Sequence, residues 1–189
     1  MVFSWSNPMT CARASAMGFT RTAIEAAGGR WDEIDKYNVV LEDLRAKRLP
    51  AVLRIGDAAQ SKVVWKIRCF GQAVLYGVVM PADGCAGNWN SSNVLGSVLC
   101  GRALVETMAL LFDFVTQLRR LCDNDDFKGI DNLVNNRTFA TKVDEWLSHG
   151  HGEKSVNVHT LIDRLETILP RARSHYDRMS EICHPNYLG

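Results

Sequence analysis

One pair of side chains in this sequence has the types needed to handle a phosphate and a proton, Arg178 with His184; a second charged pair is Arg102 with Glu106. Arginine carries a permanent charge on a donor-rich fork, and histidine is the side chain that titrates near neutral pH. Arg102 and Glu106 sit at helical i,i+4 spacing, where such a pair adds roughly 0.2–0.5 kcal/mol to a solvated helix. Arg178 and His184 are about 240° apart on an ideal helix, so periodicity alone does not join them. The end of the helix must do so. Proline disfavours the α region for the residue before it, so Pro185 predicts a helix finishing near Cys183, with His184 at its C-terminus. Arginine is long enough to reach back toward that end. The pair could stabilise a phosphate and move a proton; the same residues also describe a capped, solvated helix end.

The element that must hold this pair is the last helical region, starting near Ser155 or Asn157. Leu161, Leu165, Ile168, Ala172, Tyr176, Met179 and Cys183 keep helical spacing through it. Pro170 interrupts it and predicts a kink or a restart. Beyond Pro170, Arg171, Ser174, His175 and Arg178 share one face, while Leu165, Leu169, Ala172, Tyr176 and Met179 look toward the core. With Arg164 and Arg173 nearby, this is a cationic ridge of the kind that phosphate binding needs. The alternative is an ordinary surface neutralised by Asp163, Glu166, Asp177 and Glu181, and composition favours it.

The second pair belongs to the most apolar segment, a helix predicted over 92–122 and capped by Asn90-Ser91-Ser92-Asn93. A helix this apolar around its circumference belongs at the centre of a bundle. Arg102, Glu106, Asp113, Gln117 and Arg120 break the pattern as one stripe, whose simplest account is a solvated face.

Helical spacing also predicts a segment from Trp31 to Leu49-Pro50 and another from 57–62 to about Met80, ended by Pro81. Gly71 and Gly77 in the latter suggest close helix packing. Residues 84–90 read as a turn, and 131–147 as a shorter helix. Asp123-Asn124-Asp125-Asp126 lacks the glycine and distal glutamate of a calcium loop and reads as a helix junction. The loop 148–152 holds His149 and His151 without a third metal ligand. The expectation is an all-α, single-domain antiparallel bundle of four to five main helices over 31–189, after a loosely ordered lead-in at 1–30.

Bulk composition narrows the class. With 189 residues, 47% hydrophobic and 23% charged, the chain can bury a core and is not disordered. A formal charge of +1 gives no general pull toward polyanions, so any such site is a local patch. No continuous apolar run reaches the ~18 residues of a membrane span, and residues 1–20 lack a secretory pattern. A cytoplasmic protein that does not enter a membrane is expected. The six cysteines form no Cys-x-x-Cys pair and read as reduced, mostly core residues. No metal or other cofactor is implied.

Arg178-x5-His184 at the end of the last helix of an all-α bundle resembles the Arg-x4-6-His signature of the HEPN (higher eukaryote and prokaryote nucleotide-binding) superfamily. Tyr176-Asp177-Arg178-Met179-Ser180-Glu181 followed by His184-Pro185-Asn186 is similar to a bacterial HEPN-like group. That group also carries a phrase like Arg102-Ala103-Leu104-Val105-Glu106 on an earlier central helix. The resemblance covers about 60–189 and rests on these two phrases. It implies a homodimer with two Arg/His ends at a shared cleft. It also implies a metal-independent endoribonuclease of a toxin–antitoxin or phage-defence system, in which a ribose 2′-hydroxyl attacks the adjacent phosphate. An antitoxin or other regulatory protein would be a partner.

Carried over, His184 transfers the proton, Arg178 stabilises developing charge, and Glu106 with Arg102 supports them from the central helix. Arg102, Arg171, His175 and Asn186 would contact the RNA. Met179 stands where the family usually has a polar residue after the motif arginine. Some members of the family show no catalysis, which implies the alternative: a helical module binding nucleotide, RNA or a partner protein.

Overall fold

The computed structural model describes residues 18–184 except 139, 142 and 150–152, together with the side chains of those residues other than 153 and 154. The chain is predominantly helical, as its periodicities predict. Nine helices occur among the described residues, in place of the four to five main ones expected. Short helices and a split at Pro170 account for the difference.

Helix α1 (Arg21–Ala26) and helix α2 (Trp31–Ala46) come first, so part of the expected loose lead-in is ordered. Its order comes from side-chain amides. Asn38 exchanges two hydrogen bonds of 2.9 Å with the backbone of Phe19, and Asn90 joins Gly18 and Thr20 in the same way. Residues 1–17 lie outside the described residues.

A short α3 (Asp57–Gln60) precedes α4 (Lys62–Asn90), whose N-cap Ser61 accepts from the Val64 N–H. Helix α4 runs straight through Pro81, so the expected stop at Met80 and the turn at 84–90 are both incorrect. Local propensity loses here to packing along α5 (Val94–Asp123), which lies against α4 in the most extensive helix contact of the fold. A Cβ added at Gly84 would lie 2.8 Å from the Cys100 sulfur, and one at Gly77 would lie 3.3 Å from the Thr107 methyl. Those glycines let the two helices approach. Gly71, expected to do the same, faces open space.

Asn93 caps α5 by accepting from the Gly96 N–H at 3.0 Å. The remaining elements are α6 (Phe127–Thr138), β1 (Ala140–Thr141), α7 (Asp144–Ser148), β2 (Glu153–Lys154), α8 (Val158–Leu165) and α9 (Ala172–Cys183). The single helix expected over 131–147 is therefore two, separated by a two-residue parallel bridge between β1 and β2. Asn157 caps α8 through the His159 N–H, near the predicted start. Pro170 does restart the helix: the chain turns over 166–171, with Arg171 in the left-handed region at φ 71°.

Helix α5 is central, as its all-round apolar surface predicts. On one side Phe114 packs with Phe70 and Val74 of α4 and with Ile130, Leu133 and Val134 of α6. On the other, Ala109 packs with Leu161, Ile162 and Leu165 of α8 and with Ala172 and Tyr176 of α9. Leu169, expected in this core, is exposed in the turn before α9.

Helices α4 and α5 are each long and apolar enough to cross a membrane by length and composition. Counting a continuous apolar run in the sequence misses this, because isolated polar residues divide the run without much lowering its average hydropathy.

Candidate functional site

The polar stripe of α5 is not the solvated face that its spacing suggested. Asp113 is 2% exposed, next in sequence to Phe114 of one apolar cluster and one turn after Ala109 of the other. Arg137 from the end of α6 and Arg164 from the end of α8 both pair with its carboxylate, and Gln117 donates to it at 2.6 Å. A buried carboxylate is tolerated only when its charge and lone pairs are met, and here three donors from three helices meet them. Arg120, the last member of the stripe, is exposed.

Two and three turns before Asp113, Glu106 and Arg102 form the expected pair, with Arg102 Nε 3.2 Å from the carboxylate. The carboxylate is also taken by α9: the Tyr176 hydroxyl donates to Glu106 at 2.7 Å. Arg102 lies over the Tyr176 ring, 5.3 Å from its centroid, and His159 meets the ring edge-on at 5.7 Å. Met179 of α9 packs against α5 at Gly101, where an added Cβ would make an ordinary 3.5 Å contact with its sulfur.

This geometry moves two ionisation equilibria. Burial, reinforced by the Glu106 carboxylate and opposed by Arg102, pushes the Tyr176 phenol above its ordinary value. Arg102 is held above the usual arginine range, first by the nearby Tyr176 hydroxyl and then by Glu106, with burial opposing.

The structure thus joins Arg102 and Glu106 to Tyr176, at 1% exposure among the most buried side chains of the chain. It does not join them to Arg178 and His184. Arg178 follows Tyr176 by two positions, about 200° around the helix, and is exposed while Tyr176 faces inward. Helix α9 ends at Cys183 and His184 is its extended C-cap, as Pro185 predicts. The His184 N–H bonds the carbonyls of Ser180 and Glu181 at 3.1 and 3.3 Å, and its ring is exposed. Among the described residues, no hydrogen bond or ion pair links Arg178 or His184 to Glu106, to Arg102 or to each other. Asn186 lies outside the described residues.

The ridge on α9 is sorted by its partners. Arg173 is taken by Asp163 at 2.8 Å and Asp177 at 3.0 Å, and Arg164 by Asp113. His175 and Arg178 lie along α9 and Arg171 at its N-cap; all three are exposed, and among the described residues none of them pairs with a carboxylate.

Sequence reasoning missed Arg137, Arg164 and Tyr176 as parts of a polar centre. The one available signal was Asp113, a lone acid between Phe112 and Phe114 in an apolar stretch. No group of three or more potential metal ligands occurs among the described residues. Compared with protein-family models, curated proteins and solved structures, the chain has no match.

Proposed function

We propose that this chain is a non-catalytic helical module, HEPN-like in the sense of its two motif phrases, that binds single-stranded RNA along α9. One observation carries the reading: Arg171 at the N-cap of α9, and His175 and Arg178 along it, are exposed and lack carboxylate partners among the described residues, whereas Arg102, Arg164 and Arg173 each pair with a carboxylate. The unpaired guanidinium groups of Arg171 and Arg178 suit backbone phosphates. The engagement of Glu106 by Tyr176 and Arg102 favours binding over the ribonuclease reading, since it gives that carboxylate a packing role.

Fluorescence anisotropy with a mixed-sequence RNA oligonucleotide at several salt concentrations tests this. Each lost phosphate contact lowers the slope of log affinity against log salt by roughly 0.7 for a single strand. Arg171→Ala and Arg178→Ala are each expected to lower the slope by that amount, and the double variant by twice as much. The RNA should remain intact in EDTA. Cleavage to cyclic-phosphate ends, lost in folded His184→Ala and Arg178→Ala variants, would replace this reading with the metal-independent ribonuclease.

A further inference from the structure

Helix α5 is the more apolar of the two long helices, yet only four of its 30 residues are buried. Leu95, Leu99 and Ala103, at i, i+4 and i+8, form an exposed stripe along its first turns, with the two leucines 51% and 48% exposed. Ala103 also lines a depression of about 360 Å³, whose apolar wall is Leu110, Val156 and Leu161. Stripe and depression are therefore continuous, from the α4–α5 turn to the segment entering α8. Apolar surface left in water is unfavourable in proportion to its area, so a cover for it is a stabilising contact.

The size of the stripe selects the cover. From Leu95 to Leu110 is about 22 Å along the axis, and the stripe is about one helix, roughly 10 Å, wide. That is about 220 Å², against the ~800 Å² that each partner buries in a stable dimer. A second copy needs more surface than this; a single segment of chain does not. Arg102 and Glu106 border the stripe on one side, and a lipid surface would have to desolvate them.

The chain supplies such a segment in residues 1–17. They lead into Gly18, whose carbonyl accepts from the Asn90 side chain at 2.9 Å. Asn90 is the last residue of α4, five before Leu95. Residues 1–17 include Phe3, Trp5, Met9 and Met17 and no acid, so nothing in them repels the Glu106 carboxylate at the depression. Trp5 stands 13 residues before Gly18, a reach of up to about 43 Å at ~3.3 Å per residue and nearly twice the length of the stripe.

We infer that residues 1–17 of this chain cover the stripe, with Phe3 and Trp5 seated in the depression against Leu110, Val156 and Leu161. Aromatic side chains bring the largest apolar payload to such a contact, about 150–250 Å² each. The inference concerns α5 alone and does not depend on RNA binding at α9.

The test is made on the full chain. Nuclear Overhauser contacts are expected between the Trp5 indole and the methyl groups of Val156 or Leu161, and mixing labelled with unlabelled protein should place them within one copy. The double variant Phe3→Ser with Trp5→Ser should bind anilinonaphthalene sulfonate severalfold more than the wild type, because the stripe is uncovered. Trp5→Ala and Val156→Ala should each lower Tm, and together by less than the sum of the two shifts, as contacting residues do. Were a variant to lose its helical signal, the wild-type contacts decide. Their absence, or their appearance only between copies, would overturn the inference, the latter giving the stripe to a second copy. Co-flotation of the wild type with phosphatidylcholine vesicles would overturn it in favour of lipid.

Discussion

Tyr176 and Asp113 show how single polar groups hold an apolar bundle together. Tyr176 packs its ring in the α5–α8–α9 cluster and spends its hydroxyl on Glu106, so Tyr176→Phe keeps the packing and removes only the bond. A hydrogen bond to a charged group contributes about 1.5 kcal/mol at the lower end of its range, the appropriate end for a carboxylate that is partly exposed. Urea denaturation should register that loss. The raised phenol adds a pH signature. Its folded value lies above its unfolded one, so its stabilising contribution is complete below the ordinary tyrosine value of about 10 and is lost as pH rises through the folded value. An ultraviolet titration should contain a step above the ordinary tyrosine value, and Tyr176→Phe should remove it.

Asp113 carries more. Removing it strands Arg137 as a buried, unpaired charge, and breaking a buried pair in this way costs about 3–5 kcal/mol. Asp113→Ala is expected near the lower figure, because Arg164 can turn to water, and Asp113→Asn should lose less.

At the scale of elements, the two prolines separate local from tertiary control. Pro170 breaks its helix because residues 166–171 form an exposed turn where little packing opposes it. Pro81 leaves its helix intact because α4 is pinned along α5 on both sides of it, at Gly77 and Gly84. The turn after Pro170 carries its own strain at Arg171, whose left-handed backbone suits glycine. Arg171→Gly should therefore stabilise the chain by up to about 1 kcal/mol in a thermal melt. Arg171→Ala should bring no such gain. Both substitutions should weaken RNA binding, which would show that the arginine is kept for its charge at a conformational cost.

At the scale of the molecule, the apolar α4–α5 hairpin poses a choice between bilayer and water. Helix α5 carries Arg102, Glu106 and Asp113 along its length, and every one is met by charged or hydroxyl groups from α6, α8 or α9, or from α5 itself. Burying those partners in hydrocarbon would also bury the charges on the outer faces of α8 and α9, at several kcal/mol each. The chain is therefore expected to stay in the supernatant after high-speed centrifugation without detergent. Recovery only in the detergent-extracted membrane fraction would make the hairpin a membrane anchor.

The sequence by itself determined the helical class, the central place of α5, the capping segment 90–93, the approximate start of α8 and the end of α9 before Pro185. These are short-range properties, set by periodicity, capping chemistry and the geometry of one ring. It also brought Arg102 and Glu106 together, since four residues on a helix suffice. Only the tertiary structure decided that α4 continues through Pro81, that Asp113 is a buried hub, and that Glu106 turns to Tyr176 and not toward Arg178 and His184. Each of those depends on which residues from distant helices arrive at one place. One strand of sequence reports the spacing within a helix face; what faces it is fixed only when the helices dock.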